Sequence, residues 1–189
     1  MRILRRAEYR RMPWKNGQGL TEEVAIFPPG SPLDGFDWRI SIAHVSVAGP
    51  FSPFPGVDRS IALLDGDGLV LDLPNGDVTL VAPSEPPFSF PGEWDISSRN
   101  IGGPTIDLNI MTKRDRCTHR LFLHIAMADA VDRWDAEVAL IANADAVVQQ
   151  DGVDIAVGRF DCVMLSPGEP FAVARDRAEF LAAEIRMTA

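Results

Sequence analysis

The chain is poor in cysteine and has no long apolar segment. Its two cysteines, Cys117 and Cys162, are too few for the disulfide framework of a small secreted domain, so we expect two buried thiols. No run of residues approaches the length of a membrane span. The arginines near the start of the chain are not followed by an apolar run, as they would be in a signal peptide. These absences favour a cytoplasmic protein.

The chain also lacks an excess of positive charge. Its 27 acidic residues outnumber 18 lysines and arginines, which gives a net charge of −9. This balance disfavours binding to a nucleic-acid backbone or to an anionic membrane surface, so neither is expected as a partner. An arginine inside a pocket is therefore more informative here than in a basic protein. A homodimer stays open as a further partnership.

Glycine and proline are abundant instead, with 15 of each among 189 residues. Such a composition is typical of many short strands joined by turns, and it predicts an all-β fold with little helix. The clearest strand begins at Trp38, where Ile40 and Ile42 continue one face and polar or small residues occupy the other. Further along, the sequence Asp-Gly-Asp-Gly at 65–68 separates two apolar runs and predicts a β-hairpin.

This order of strand, Gly-Pro corner, strand, acidic turn and strand resembles the first motif of the cupin barrels. Counting back seven residues from Gly66 places Arg59 where that motif has its glutamate, and Ser52 and Phe54 lie near its two histidine positions. A divalent metal in a cupin needs imidazole nitrogens and a carboxylate, and a guanidinium would repel it. We therefore expect no metal and no cofactor.

The two halves of the chain resemble each other. The stretch 61–80 shares with 138–157 an order of apolar run, small or acidic turn, apolar run, glycine turn and apolar strand. The repeat predicts a bicupin, with two cupin-like β-barrels of jelly-roll type packed together. The first barrel, with the N-terminal strands, is expected in 1–114 and a smaller second barrel in 115–189, as one compact unit that leaves room for shared strands.

Several short motifs together resemble the HutD/Ves family, a metal-free cupin group. They cover residues 12 to 114 and comprise Pro-Trp-Lys-Asn-Gly-Gln-Gly-Leu-Thr at 13–21, Trp-Arg-Ile-Ser-Ile-Ala at 38–43, Gly-Pro-Phe-Ser at 49–52, Phe-Pro-Gly at 54–56 with Asp58 and Arg59, Leu-Asp-Gly at 64–66, and Asp-Leu-Asn-Ile-Met at 107–111 with Arg114. The resemblance implies a compact bicupin and, in some members, an association with histidine utilisation or a stress response. It implies no firm enzymatic activity.

The barrel register makes Arg59 the first candidate for ligand binding. Inside a barrel a guanidinium calls for a bidentate anion, either a ligand carboxylate or a protein carboxylate such as Asp107 or Asp58. Asp107 and Asn109 lie two apart on one strand face, where they would take the donor groups of a small polar ligand if that face lines the barrel. If it faces outward, they are ordinary solvated residues.

A second group of candidates lies at the edges of this predicted pocket. Arg39 is a second anchor or an exposed arginine, Thr21 could add a hydroxyl, and a lid or rim is expected from Trp14, Lys15 and Asn16.

Only one of the three histidines is a candidate for catalysis. His44 continues the face of Trp38 and would be a general base if that face looked into the barrel, as in the metal-free sugar epimerases of this fold. Arg39 would then point outward, so the two interpretations compete. His119, in a charged connector, is expected to be solvated, and His124 to be a core or surface residue. No Ser-His-Asp or Cys-His arrangement is legible.

The sequence therefore predicts a cytoplasmic, metal-free bicupin that binds a small carboxylate in its first barrel. Such a protein would act as a sensor or regulator in amino-acid catabolism or stress. The alternatives are a metal-independent isomerase, epimerase or lyase, and a scaffold whose barrel is only core.

Overall fold

The computed structural model describes residues 1–14, 17, 19–47, 49–81 and 86–188. Within these residues the chain forms strands and one short 3-10 helix, Arg6–Glu8, and no α-helix. The strands are β1 Arg2–Leu4, β2 Arg10–Pro13, β3 Gly19–Phe27, β4 Trp38–Val45, β5 Gly49–Pro50, β6 Val57–Asp65, β7 Gly68–Leu73, β8 Gly76–Leu80, β9 Phe88–Pro91, β10 Ser97–Ile101, β11 Thr105–Lys113, β12 Cys117–Met127, β13 Glu137–Ala142, β14 Ala146–Gln150, β15 Val153–Val157, β16 Cys162–Leu165 and β17 Arg177–Met187. The expected all-β fold is confirmed.

The chain divides into two compact units. The first unit contains residues 10–118 and the residues from 187 onward, and the second contains residues 1–9 and 119–186. The N-terminal strand β1 pairs with β16, so it belongs to the second unit. That the first barrel ends at residue 114 and the second begins at residue 115 stays a prediction.

The first unit is built from two antiparallel sheets. A six-stranded sheet has the order β2-β3-β4-β11-β6-β9, and a four-stranded sheet has the order β5-β10-β7-β8. Pairing among the described strands leaves both sheets open at their edges. Ile61 and Leu63 of β6 pack with Leu69 and Leu71 of β7 in one apolar cluster, so the two sheets face each other across a common core.

The hairpin predicted at the Asp-Gly-Asp-Gly sequence is wrong. Both edges of β6 are already paired, to β11 on one side and β9 on the other, while β7 pairs with β10 and β8. The turn at 65–68 therefore carries the chain from one sheet to the other. The next turn, at Pro74 and Asn75, does join a hairpin, between β7 and β8.

The second unit repeats this plan. Strand β13 enters a five-stranded sheet of order β1-β16-β13-β17-β12, β14 and β15 form a separate hairpin, and β16 returns to pair with β13. In the first unit β6, the β7–β8 hairpin and the return of β9 to β6 follow the same order. The core of the second unit lies among buried side chains of β13, β16 and β17. The internal repeat is confirmed in strand order.

Two glycines with positive φ offer a test of the turn between the sheets. Gly66 has φ +106°, and an added Cβ would lie 2.9 Å from Thr105 Cγ2 and 3.0 Å from the Pro104 carbonyl oxygen. Gly76 has φ +126° but has open space around the same position. Both alanine variants are expected to lose about 1–3 kcal/mol to backbone strain. Gly66→Ala should lose about 1–3 kcal/mol more through overpacking, measured by urea unfolding. Equal losses would contradict the close packing of this turn.

Candidate functional site

The candidate residues of β4, β6 and β11 share one face of the six-stranded sheet. Met111 lies opposite both Arg39 and Arg59 in the ladder, and Asn109 and Asp107 follow on the same face at two-residue intervals.

This shared face is the inward one. Asn109 lies opposite Ile61 and Asp107 lies opposite Leu63, and both apolar side chains belong to the core between the two sheets. The four polar candidates therefore project into the interior of the first unit, as predicted for a strand face that lines the barrel. They are buried there, with Arg59 at 7% and Asn109 at 6% exposure.

Aromatic rings surround the guanidinium of Arg59. Its central carbon lies 5.0 Å from the ring centre of Phe51, 5.6 Å from that of Phe54 and 5.1 Å from that of Phe90. Arg59 Nη1 donates to the Ser52 carbonyl oxygen at 3.3 Å. Such ring faces attract the cation and pack against its apolar stem. The guanidinium is therefore held in place by its neighbours.

The charge of Arg59 is not matched by an adjacent carboxylate. No ion pair joins it to Asp107 or Asp58 in the described part of the chain, and Asp58 instead pairs with Arg114 at 2.8 Å. Burial lowers the pKa of Arg59 to about 10, Asp107 opposes this shift, and the like charge of Arg39 adds to it. The guanidinium stays protonated at neutral pH and lacks a direct counter-ion among the described residues.

Asp107 is a carboxyl group in an apolar interior. It is fully enclosed, and burial raises its pKa from 3.8 to about 7, although the positive charge of Arg59 partly opposes this shift. A carboxyl with this pKa exchanges a proton near neutrality and can donate a hydrogen bond in its neutral form.

Two polar atoms of the four polar candidates lack partners among the described residues. They are the Nε donor of Arg59 and the Oδ1 acceptor of Asn109, both buried. Buried polar groups are almost always paired in native proteins, and an unpaired one costs about 1–3 kcal/mol. An orphan donor and an orphan acceptor on one inward face are an arrangement that a small polar ligand would complete.

Arg39 has a partner that the sequence did not indicate. Its Nε donates to Glu23 Oε2 at 2.8 Å, and both side chains are largely buried. The ladder places Glu23 opposite Ser41, on the same inward face. Arg39 is thus buried rather than exposed, with its Nε atom engaged by Glu23, and its role as a second anchor stays a prediction. In the sequence, only the two-residue alternation along β3 could have indicated that Glu23 lies on this face.

Of the residues expected at the edge of the pocket, Trp14 and Thr21 belong to the part of the chain that the structure describes. Trp14 Nε1 donates to Thr21 Oγ1 at 2.8 Å, and Thr21 lies opposite Ala43 on the inward face. Gly19 packs beneath the indole, where an added Cβ would lie 2.7 Å from Trp14 Cε3. Lys15 and Asn16, the other expected rim residues, lie outside the described residues.

His44, the one histidine considered for catalysis, does not lie on the inward face. It alternates with Ala43 and so projects from the opposite face of the sheet to Arg39. Its Nε2 lies 3.1 Å from Oε2 of the fully buried Glu22, whose Oε1 lies 3.0 Å from Arg11 Nη2. The competition between His44 and Arg39 for the inward face is settled in favour of Arg39.

The remaining histidines and the cysteines add no site. His124 Nε2 lies 2.9 Å from Asp132 Oδ2, and His119 is partly buried. Cys117 and Cys162 are both buried and free, as expected. Across the residues that the structure describes, no three His, Cys, Asp or Glu side chains form a group able to hold a metal ion. Nor does any helix in that part have the length and apolar character to cross a membrane.

The fold is that of the cupins. A cupin 2 conserved barrel domain protein from Leptotrichia buccalis superposes with a TM-score of 0.63 over 97% of this chain and 100% of its own, at 10% sequence identity. At that identity the likeness concerns the fold alone.

Within that fold the chain belongs to the HutD family, whose model matches residues 6–183. HutD from Pseudomonas fluorescens SBW25, solved in a formate condition, is 32% identical, with a TM-score of 0.78 over 100% of this chain and 99% of that one. An uncharacterized 21.2 kDa protein in the hutC 3′ region of Pseudomonas putida is 40% identical over 64% of this chain. Protein Ves of Citrobacter koseri is 42% identical over 58% of this chain. These matches span 63% and 58% of the two curated relatives.

Proposed function

We propose that the first unit binds a small carboxylate, with Arg59 as its anchor. The observation that carries the proposal is the orphan Nε of a buried, caged guanidinium that lacks an adjacent counter-ion. Because Nη1 already donates to Ser52, the edge formed by Nε and Nη2 is the one that can take both oxygens of a carboxylate.

The side chains of Asp107 and Asn109 indicate which further groups the ligand carries. Neutral Asp107 donates a hydrogen bond to a carboxylate, whereas ionised Asp107 repels it, and the raised pKa favours the neutral form below about pH 7. The orphan Oδ1 of Asn109 accepts from an N–H or O–H group. The ligand class is therefore a small acid that also carries a donor, such as a hydroxy, amino or amide-bearing acid.

The biological role that we propose is sensing or regulation in amino-acid catabolism, in the cytoplasm. The support is the naming of two relatives, HutD of Pseudomonas fluorescens and the protein of the hutC 3′ region in Pseudomonas putida, which links them to histidine utilisation. The formate condition of the former makes formate, the smallest carboxylate, a first probe.

A thermal-shift screen tests the proposal. Formate, hydroxy acids, amino acids and histidine-pathway intermediates are compared with their neutral amides at equal ionic strength. A ligand at 100 times its Kd stabilises the folded state by about 2.7 kcal/mol, which raises the melting temperature by about 5–10 °C for a chain of this size. Equal shifts for acids and amides, or no shift with any acid, would contradict a carboxylate site.

One observation favours an enzymatic alternative. A carboxyl whose pKa is about 7, enclosed near an anion-binding arginine, can abstract or deliver a proton in an isomerase, epimerase or lyase that needs no metal. NMR spectra of each stabilising acid after incubation with the protein separate the two functions. Conversion or exchange of a ligand proton with deuterium, lost in Asp107→Asn, would favour the enzyme, and an unchanged ligand the sensor.

A further inference from the structure

A cleft lies in the first unit, at the ends of strands β4, β6 and β11. Its volume is about 370 Å³, which lies within the range of small-molecule sites. Its walls share no residue with the carboxylate site and consist of 44–46, Asp65, Gly66 and 104–106.

The wall of this cleft contains a hydroxyl without a partner. Thr105 is 1% exposed, and its Oγ1 has no hydrogen-bond partner among the described residues. Just behind the wall, Asn100 Nδ2 donates to the Val45 carbonyl at 2.9 Å, whereas its Oδ1 is buried without a partner. The amide oxygen is an acceptor only, and the threonine hydroxyl also has acceptor capacity. The threonine hydroxyl of this wall can therefore accept a hydrogen bond from a ligand donor.

The charged groups around the cleft favour a cation. Asp65 brings a carboxylate to the turn at the cleft edge, where its Oδ1 accepts from the Gly66 backbone N–H at 3.0 Å. On the neighbouring strand, His44 Nε2 lies 3.1 Å from Oε2 of Glu22. Arg11 forms an ion pair with the other oxygen of Glu22, so the positive charge of Arg11 is compensated there.

We propose that this cleft is a second ligand site, which takes a small cation with N–H donors, such as a primary ammonium group. Asp65 supplies the countercharge, and the Thr105 hydroxyl supplies an acceptor. The site is separate from the carboxylate site in its lining, which includes neither Arg59, Asp107 nor Asn109.

Titration with ethanolammonium chloride, followed by NMR of the backbone amides and threonine methyl groups, tests this site. Sodium chloride at equal ionic strength controls for screening, and ethylene glycol for the hydroxyl alone. We expect saturable shifts at Val45, Gly66 and Ile106 with ethanolammonium only. Shifts of equal size with sodium chloride, or shifts confined to residues around Arg59, would overturn the proposal.

Variants then assign the contacts. Thr105→Val keeps the shape but removes the hydroxyl, and Asp65→Asn removes the charge, so each is expected to weaken ethanolammonium binding about tenfold. Asp77→Asn, an exposed charge change in the β7–β8 hairpin, serves as the matched control and should leave the affinity unchanged. Arg59→Met should also leave it unchanged, because its side chain is not part of the cleft. Unchanged affinity in both Thr105→Val and Asp65→Asn, with folding verified by thermal melting, would remove the site.

Discussion

Arg59→Ala is expected to weaken binding of formate, or of a stronger acid found by thermal shift, by about 2–5 kcal/mol, which is thirtyfold or more in Kd. The reason is that Arg59 has the orphan Nε and the only buried guanidinium of the inward face, among the described residues, that lacks an ion-pair partner. Isothermal titration calorimetry of the wild type and the variant measures the difference.

Two further substitutions separate charge from packing. Arg59→Met fills much of the space among the three phenylalanine rings, so it should keep the fold within about 1 kcal/mol and still lose the ligand. Arg59→Lys should fail to restore binding, because an ammonium cannot make the planar two-pronged contact.

Arg114→Ala is the surface control. It removes one positive charge from the same unit, at an exposed cluster with Asp58 and Glu93, and should leave the affinity unchanged. Retention of full affinity in both Arg59→Ala and Arg59→Met would place the ligand elsewhere and leave Arg59 a structural residue.

The stability of the protein is expected to depend on pH through Asp107. Its pKa is about 7 in the folded state and near 3.8 when exposed, so between about pH 4 and pH 7 the folded chain keeps a proton that the unfolded chain releases. The contribution of Asp107 to the free energy of unfolding therefore falls as pH rises through this window and levels off above it. The expected loss from this one group is on the order of 2–4 kcal/mol.

Asp107→Asn isolates this contribution. Other carboxylates act in the opposite direction; hydrogen bonds from Arg6 and Arg5, for example, hold the pKa of Asp161 below its usual range even though its burial acts against this. The difference in unfolding free energy between the variant and the wild type should therefore grow in favour of the variant between pH 5 and pH 8, measured by urea unfolding. Asp77→Asn, at an exposed position, should show no such trend. A constant difference for Asp107→Asn would contradict the raised pKa.

Alternation along single strands predicted much of the candidate site. Because side chains repeat every two residues, Asp107 and Asn109 had to share a face, and the ladder then places Arg59 and Arg39 on that face too. Because His44 follows Arg39 by five residues, the same two-residue period places their side chains on opposite faces of the sheet. What alternation alone could not decide was which of the two faces looks inward, since both faces of β4 and β11 are largely buried.

Contacts between distant segments lay beyond the sequence. The aromatic cage brings Phe51 and Phe54 from an irregular loop to a ring of β9, and Glu23 reaches Arg39 across a strand pair. The prediction of a hairpin at 65–68 was wrong for the same reason. Turn chemistry fixes the local chain reversal, but which strands pair depends on partners such as β11, some 40 residues further along the chain.

The pairing of β1 with β16 affects the order in which the second unit can fold during synthesis. Arg2 lies opposite Met164, about 160 residues later, so β1 is synthesised long before the strand with which it pairs. Closing so long a loop is slow compared with forming the hairpins inside each unit. A gene fragment that starts at residue 115 would consequently encode the second unit without one of its edge strands.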